Sequence, residues 1–239
     1  MIEKPKVEVC FTPNMFPLYA EDFEVVVVID VLRATSAICT AFHYGVDKII
    51  PVSTLDQAIE YKDKGYYVAA ERKGKIVSGF EFGNSPLSYT NDKLKDQTLV
   101  LTTTNGTKAI NMAKDIEHLL IGSFLNLDAI CNYLIELNKS VLILGSGWEN
   151  KFCLEDSICA GAISEQLLKT NKFESNNDST IAAKYLFLSA KSNYFGYLKA
   201  SSHRKRLKKL NLNEDIKYCL TPNQTDVIPV REDYYLKKL

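Results

Sequence analysis

Short apolar runs alternate with amphipathic segments along this chain, and their order predicts an α/β fold. The clearest run is 25–29, five consecutive β-branched residues that favour a strand buried on both faces. Similar patterns predict further strands at 7–11, 47–52, 66–70, 98–101 and 141–144. Helical spacing predicts helices at 35–43, at 54–64 and after Asn105, so strands and helices follow one another in turn.

The carboxyl-terminal third reads as mainly helical. We predict a helix that starts near Glu155 and runs to 169, a polar loop at 173–180, and helices at 181–198, 201–210 and 213–220. A closing edge strand is predicted at 226–230, because Pro229 cannot donate a hydrogen bond to a central ladder. A long loop is predicted at 74–90, where three glycines and a proline lie close together.

The order of elements in the first half is repeated in the second half. A shift of 71 residues places Ser36 on Thr107, Ile49 on Leu120 and Ala58 on Ala129. This pattern predicts two similar α/β/α lobes, 1–96 and 97–239, possibly from an internal duplication, with a site in the cleft between them. Ordinary α/β proteins also repeat strand, helix and strand, so both readings stay open.

Composition limits the classes of partner. The chain carries 29 basic and 29 acidic residues, so no global field attracts nucleic acid or a membrane surface. No apolar run approaches the roughly 20 residues of a bilayer span, and we expect a cytoplasmic protein, with a homodimer as a possible assembly. Six cysteines without a CxxC pair predict reduced packing residues.

Polar residues stand where several predicted strands end. Asp30 follows the apolar run 25–29, Glu71 and Arg72 follow the strand at 66–70, and the turn 102–107 follows the strand at 98–101. The carboxyl ends of strands in α/β sheets are where ligands bind. An ordinary strand-to-helix corner with Asp30 as a solvated cap is an equally good interpretation of the first of these positions.

Known catalytic motifs are absent from the sequence. There is no GxxxxGK[ST], no GxSxG and no HExxH. Asp30 does not begin a DxDx motif, because the residue two positions later is Leu32, and no cysteine has an arginine six positions later. What remains is a set of oxygen donors, namely Asp30, Glu71, Glu81, Glu155, Asp156 and Asp226. Hard oxygen ligands favour Mg²⁺ over zinc, although adjacent carboxylates at a helix start are equally well explained as capping.

Five motifs occur in one order and spacing: IDVLRATS (29–36), GFEFGNSP (79–86), TTTNGT (102–107), KFCLEDSICAGA (151–162) and SSHRKRL (201–207). Together they resemble the 2-phosphosulfolactate phosphatase family, magnesium-dependent hydrolases of the coenzyme M pathway. The resemblance implies hydrolysis of a phosphate monoester on a three-carbon sulfonated acid, on a two-lobed α/β/α fold. It covers nearly the whole chain. Three positions depart from the family pattern: Glu81 replaces an expected aspartate, Cys153 a common serine, and Gly145-Ser146 a Cys-Ala pair.

The residues suggest roles that agree with this resemblance. We expect Asp30, Glu155 and Asp156 to hold Mg²⁺, and Asp30, Glu71 and Arg33 to be catalytic. A small anionic phosphorylated substrate needs fixed positive charge and hydrogen-bond donors. The expected substrate-binding residues are Ser36, Arg72, Asn84, Thr104, Asn105, Gly106, Thr107, Lys151 and His203. Direct attack by water is preferred to a phosphoenzyme on Asp30 or Ser36, because no known nucleophile motif is present.

Two other functions stay open from the sequence. The same residues would serve a phosphatase for another small anionic phosphate ester. A non-catalytic module that binds anions would keep Arg33 and the polar turns but would turn over no ester. The module is disfavoured, because several carboxylates beside anion-binding turns would repel an anion unless a cation bridged them.

Overall fold

The computed structural model of the chain describes residues 3–239, which form ten β-strands and nine α-helices. The strands are β1 (Val7–Cys10), β2 (Val25–Ile29), β3 (Lys48–Pro51), β4 (Tyr67–Arg72), β5 (Lys75–Ile76), β6 (Thr98–Thr102), β7 (His118–Gly122), β8 (Val141–Gly145), β9 (Pro229–Glu232) and β10 (Tyr235–Lys238). The helices are α1 (Ala34–His43), α2 (Leu55–Asp63), α3 (Gly106–Met112), α4 (Leu127–Leu137), α5 (Leu154–Lys169), α6 (Asp178–Ala190), α7 (Tyr194–Tyr197), α8 (Ser202–Lys209) and α9 (Asn213–Cys219). The predicted α/β class is confirmed.

All ten strands belong to one sheet in the order β1-β8-β2-β7-β9-β10-β3-β6-β4-β5. Strands β1, β8, β2 and β7 are parallel to one another, and so are β3, β6 and β4. The antiparallel hairpin β9–β10 joins these two groups through single pairings, Val230 with Leu120 and Leu236 with Ile49. The sheet is therefore mixed, with a parallel group on each side of a central hairpin.

The position of this hairpin corrects one prediction. The segment 226–230 was expected to close the sheet as an edge strand, yet β9 lies between β7 and β10 near the middle of the sheet. Pro229 fits there because it pairs with Lys238 at the open end of the hairpin, and β9 makes only one pairing with β7. The second strand of the hairpin, β10, was not predicted.

The predicted boundary at residue 96 does not coincide with a boundary in the sheet. Strand β2 lies between β7 and β8 from the later half of the chain, whereas β6 lies between β3 and β4 from the earlier half. The two hairpin pairings fall on Ile49 and Leu120, the same positions that the shift of 71 residues matched. Each parallel group thus combines strands from both halves, and the internal duplication stays a prediction.

The alternating side chains of β2 enter two different cores. Val25, Val27 and Ile29 pack with α4, α5 and α6, whereas Val26 and Val28 pack with α1 and with side chains of β6 and β7. Both faces of the strand are covered, which explains why its apolar run is continuous rather than alternating. All six cysteines are free and buried, as predicted.

The helices after α5 differ from the predicted ones. Helix α6 begins within the predicted loop at 173–180, because the Asn177 side chain accepts a hydrogen bond from the Ser179 amide and caps it. It ends at Ala190, and Asn193 then caps the short helix α7, so the predicted helix 181–198 is broken. None of the helices formed by residues 3–239 combines the length and apolar character that a bilayer crossing needs.

Candidate active site

Polar side chains from several strand ends meet around one small cavity. Its volume is about 20 Å³, and its walls come from the residues that follow β2, β4, β6 and β8, from the loop before β6, and from α8. The lining residues are Asp30, Leu32, Arg33, Glu71, Gly74, Asn84, Thr104, Asn105, Trp148, His203 and Leu207. Seven of these were predicted as site residues from the sequence.

The corner between β2 and α1 presents Asp30. The Asp30 amide donates to Thr35 Oγ1 at 3.1 Å, and the Thr35 amide donates back to the Asp30 carbonyl at 3.0 Å. The Ser36 hydroxyl donates to the Val31 carbonyl at 2.8 Å and is fully buried. Both hydroxyls therefore bond to the backbone within the turn, and these bonds fix the position of the backbone that carries the Asp30 side chain. The substrate-binding role expected of Ser36 stays a prediction.

The corner between β6 and α3 is built in the same way from neutral residues. The Thr103 amide donates to Thr107 Oγ1 and the Thr107 amide donates to Thr103 Oγ1, each at 3.1 Å. The Thr107 hydroxyl also donates to the Thr103 carbonyl. A Cβ at Gly106 would lie 2.4 Å from Ala34 Cβ and 2.8 Å from Asp30 Oδ2. The two corners touch at Gly106, which only glycine allows.

Glu71 joins the turn after β4 to the turn after β6. Its carboxylate accepts hydrogen bonds from the Gly74 amide, from the Thr104 amide at 3.1 Å and from the Thr104 hydroxyl at 3.2 Å. Arg33 approaches the same turn and donates to the Gly74 carbonyl at 3.0 Å. The other end of its guanidinium forms a buried ion pair with Asp215 of α9. Arg33 is thus held rigidly at the cavity wall.

The first turn of α5 places two buried carboxylates behind Asp30. Asp156 accepts hydrogen bonds from the Val31 amide at 2.9 Å and from the Gly147 amide at 3.2 Å. Glu155 lies beside His203, with 2.6 Å between Oε1 and Nδ1, and also accepts a hydrogen bond from the Cys153 thiol at 2.9 Å. These contacts join α5 to the β2–α1 corner and to α8.

The electrostatics of the pocket reflect this crowding of carboxylates. Burial raises the pKa of Asp30, His203 lowers it, and the negative charges of Glu71 and Glu155 raise it, which together bring it to about 6. Burial, with Asp30 and Glu155 nearby, raises the pKa of Asp156 well above its usual range. Burial also opposes ionisation of Glu155, but hydrogen bonds from His203 and Cys153 lower its pKa overall. Burial and mutual repulsion therefore oppose ionisation of Asp30 and Asp156 more strongly than the cations of the pocket favour it.

The remaining predicted residues are placed differently. Asn84 lines the cavity with a buried Oδ1 that has no hydrogen-bond partner. Asn105 lines it too, and its side chain accepts from the Glu149 amide. Arg72 lies outside the lining and donates to Thr102 Oγ1 and to the Glu71 carbonyl. Lys151 is exposed and is not part of the cavity wall.

The residues fit a magnesium ion in chemistry, and the assignment of Asp30, Glu155 and Asp156 as its ligands stays a prediction. Asp30, Glu71, Glu155 and Asp156 are buried oxygen donors. The pKa values of Asp30 and Asp156 are raised, and a divalent cation would stabilise their ionised forms. Asp30, Glu155 and Asp156 lie within electrostatic reach of one another. Over residues 3–239, however, the one His, Cys, Asp and Glu group whose ligand atoms all lie within 4.8 Å is Cys153, Glu155 and His203.

Sequence reasoning missed two features of the site. Trp148 lines the cavity, lies 5.3 Å from the His203 ring between centroids, and carries the Arg206 guanidinium 4.0 Å from its own ring centroid. Asp215 anchors Arg33 from 182 residues away. The lone tryptophan in a glycine-rich turn after a strand was a signal for the first feature. No local sequence pattern indicated that Asp215 pairs with Arg33.

Comparisons with known proteins identify the family of the chain. A sequence model described as 2-phosphosulpholactate phosphatase matches residues 10–234. A protein of Caldanaerobacter subterraneus subsp. tengcongensis is 39% identical over 208 residues, covering 85% of this chain and 86% of its own. A Thermotoga maritima protein is 39% identical over 215 residues, covering 90% and 92%. Both are named as probable 2-phosphosulfolactate phosphatases. The resemblance carried by the five motifs is thus confirmed, and the chain belongs to the 2-phosphosulfolactate phosphatase family.

Proposed function

We propose that this protein hydrolyses a phosphate monoester with the help of Mg²⁺, and that its substrate is 2-phospho-3-sulfolactate, which gives 3-sulfolactate and phosphate. The observation that carries the proposal is the meeting of Asp30, Glu71, Arg33 and His203 around one cavity, with Glu155 and Asp156 directly behind it. The names of the relatives supply the substrate.

Magnesium would be held by Asp30 together with Glu155 or Asp156. These carboxylates offer hard oxygen ligands. The pKa values of Asp30 and Asp156 are raised, so a bound cation would stabilise their ionised forms. When bound, the ion neutralises charge on the phosphoryl oxygens and orients the attacking water. Asp156 also holds the Val31 amide, so a change there would move the whole β2–α1 corner.

The protein's own groups bind the anionic substrate and accept a proton. Arg33 uses two of its N–H groups on Asp215 and Gly74, which leaves others free to donate to the substrate. Asn84 has an unused polar atom in the cavity wall. Glu71 would take the proton of the attacking water, because the Thr104 hydroxyl that now donates to it can rotate towards a phosphate oxygen.

Substrate entry requires the cover of the cavity to move. A volume of about 20 Å³ is close to that of one water molecule's probe sphere, whereas a phosphorylated three-carbon acid is many times larger. Gly74 in the turn between β4 and β5, Trp148 and Leu207 of α8 line the cavity together with the carboxylates. We infer that the β4–β5 turn is displaced on binding, which would break its hydrogen bonds with Glu71, Arg33 and Thr104.

The test is release of inorganic phosphate from 2-phosphosulfolactate, measured with Mg²⁺, with chelator alone, and with chelator followed by excess Mg²⁺. We expect turnover only where Mg²⁺ is present. A rise in the melting temperature with Mg²⁺ in the absence of substrate gives a readout of metal binding that is independent of activity. Turnover that persists in chelator would overturn the metal requirement.

A substrate panel separates the main proposal from its two alternatives. Faster turnover of another small phosphate ester would retain the chemistry and change the substrate. Binding of these esters without phosphate release from any of them would indicate an anion-binding module. Rapid-quench labelling that trapped phosphate on Asp30 would replace direct water attack by a covalent intermediate. Ser36 is a poorer nucleophile, because its hydroxyl is fully buried and donates to Val31.

A further inference from the structure

Beside the predicted oxygen ligands lies a different set of donors that the proposed reaction does not use as a set. Cys153, Glu155 and His203 present one sulfur, one oxygen and one nitrogen atom within 4.8 Å of one another. All three side chains are buried. The His203 ring also lines the cavity, so a small ion or a water molecule can reach the group from there.

The spacing of these atoms is close to that of a tetrahedral metal centre. Zinc holds sulfur, nitrogen and oxygen ligands about 3.3–3.6 Å apart from one another. Here Cys153 Sγ and His203 Nδ1 are 3.9 Å apart, Sγ and Glu155 Oε1 are 2.9 Å apart, and Oε1 and Nδ1 are 2.6 Å apart. If each of these three separations changed by about 0.7 Å or less, three metal–ligand bonds could replace the two hydrogen bonds.

The donor types select a soft or borderline cation. A thiolate and an imidazole favour Zn²⁺ and Co²⁺, whereas Mg²⁺ prefers oxygen alone. We propose that Cys153, Glu155 and His203 form a second metal site for a thiophilic divalent cation such as Zn²⁺, with water from the cavity as the fourth ligand. As the metal–sulfur and metal–nitrogen bonds form, the thiol releases its proton to solvent, and the proton on His203 Nδ1 leaves to solvent or, through solvent, to Nε2 of the same ring.

This site would control the proposed reaction through a shared ligand. Glu155 belongs both to the thiophilic site and to the carboxylates proposed for Mg²⁺, so one carboxylate would serve two ions. Zinc bound through Cys153 would withdraw Glu155 from magnesium and would remove His203 from the cavity wall. Zn²⁺ would therefore inhibit hydrolysis. Inhibition rests on the proposed function, whereas binding at the site does not.

Cobalt substitution tests the binding directly. Apoprotein prepared with chelator and then freed of it is titrated with Co²⁺, and the thiolate-to-cobalt charge-transfer absorption is recorded. We expect one equivalent of this signal in the unmodified protein and its loss on addition of Zn²⁺. Cys153→Ser, which keeps a hydroxyl that can donate to Glu155, should abolish it. Absence of the signal in unmodified protein, or its persistence in Cys153→Ser, would overturn the proposal.

Two further variants keep the test decisive. Cys10→Ser is the matched control, since Cys10 is also buried and donates to the Thr12 carbonyl, a bond that serine can keep; its signal should equal that of unmodified protein. His203→Gln removes the imidazole and should weaken Co²⁺ binding at least tenfold. Unchanged affinity in His203→Gln would contradict the site even if Cys153→Ser failed to fold.

The inhibition arm is measured separately. The Zn²⁺ concentration that halves phosphate release should rise at least tenfold in Cys153→Ser relative to Cys10→Ser, each compared with its own rate in Mg²⁺ alone. Equal sensitivity to Zn²⁺ in the two variants would overturn the control function and leave the binding result to stand on the cobalt signal. Complete lack of turnover in every protein, with the cobalt signal present, would reject the proposed function and keep the metal site.

Discussion

The β2–α1 corner and the β6–α3 corner have the same construction and opposite chemistry. In each, a threonine of the helix's first turn exchanges hydrogen bonds with the residue that follows the strand, Thr35 with Asp30 and Thr107 with Thr103. The first corner carries a buried carboxylate and an arginine, whereas the second carries threonine, asparagine and glycine. They meet where Gly106 faces Ala34 and Asp30.

The difference between the corners separates two roles: hydrogen bonds that hold the backbone of a turn, and side chains that take part in the reaction. Side-chain hydroxyls inside each turn bond to its backbone groups, so the position that faces the cavity is free to carry whatever chemistry the site needs. At the first corner that position is a carboxylate whose pKa burial raises to about 6. At the second, neutral groups and a missing Cβ let the two turns approach closely. The charged corner should therefore dominate activity, and the neutral corner should act through position.

Asp30→Asn should have the largest effect. We expect the rate of phosphate release to fall at least about 1,000-fold, because the variant loses a metal-binding carboxylate. In metal-free protein at pH 7.5, the free energy of unfolding should rise by about 3 kcal/mol, since a buried charge with a raised pKa is removed. Chemical denaturation in chelator and a phosphate-release assay measure the two effects.

The pH dependence gives the sign of that stability change. The pKa of Asp30 is raised from 3.8 to about 6 by folding, so the ionised form destabilises the folded chain above pH 6 and ceases to do so towards pH 4. The gain in Asp30→Asn should therefore be full at pH 7.5 and absent near pH 4. A variant that is less stable than unmodified protein at pH 7.5 would contradict the account of a crowded, uncompensated pocket.

Gly106→Ala tests the contact between the corners. The added methyl group would lie 2.4 Å from Ala34 Cβ and 2.8 Å from Asp30 Oδ2, so both turns must shift. We expect a loss of about 2 kcal/mol in the free energy of unfolding and a fall of about 100-fold in kcat/KM. Gly65→Ala is the control, because it strains a positive φ of 87° with no atom nearby and should cost stability without the kinetic loss.

Local patterns were enough to predict the elements that carry the charged corner. Five β-branched residues covered on both faces leave little choice but a strand, and Asp30 follows it directly. The strand that ends at Glu71 and Arg72 was found in the same way, one or two residues short. Because β4 and β6 are parallel and their carboxyl ends lie at one edge, the convergence of Glu71 and Thr104 could be anticipated. Asp30 follows β2 in the other parallel group, which three antiparallel pairings separate from β6, so this rule does not account for its approach.

Distant pairings were not predictable from local patterns. The central hairpin depends on two single pairings, Val230 with Leu120 and Leu236 with Ile49, which leave no trace in hydrophobic spacing. The Asp215 partner of Arg33 is likewise distant, and the sequence around it predicts an ordinary short helix with acidic residues in its first turn. The internal bonds of Ser36 and Thr107 were missed for another reason, since a hydroxyl in a polar turn can face inward or outward.

A fall in pH at limiting Mg²⁺ should lower the activity by about tenfold, and this loss should depend on the charged corner alone. Protons and Mg²⁺ compete for Asp30, whose pKa is about 6 without metal, so activity at limiting Mg²⁺ should fall as the pH drops through this region. Raising Mg²⁺ tenfold should move the acid limb to lower pH. Thr104→Val, from the neutral corner, should reduce the rate without moving the limb. A limb that is independent of Mg²⁺ would assign it to another group.

The smallest effects are expected at two hydroxyls that bond within the turns, those of Ser36 and Thr107. Ser36→Ala leaves the buried Val31 carbonyl without its donor and should cost about 1 kcal/mol in the free energy of unfolding. Thr107→Val removes an acceptor and a donor used by Thr103 and should cost about 2 kcal/mol. In both variants KM should stay within about twofold, because the hydroxyls already serve their own turns. Denaturation curves and initial rates measure these changes.

The pair is informative because the two side chains were expected to bind substrate. If either variant showed a tenfold higher KM with unchanged stability, that hydroxyl would rotate out of its turn when substrate binds, and the corner would react as well as hold. If both lose stability alone, substrate contacts at these corners come from outward-facing groups such as Arg33 and Thr104. The two roles would then be separate in both corners, because the hydroxyls bond within their turns in the charged corner and in the neutral corner alike.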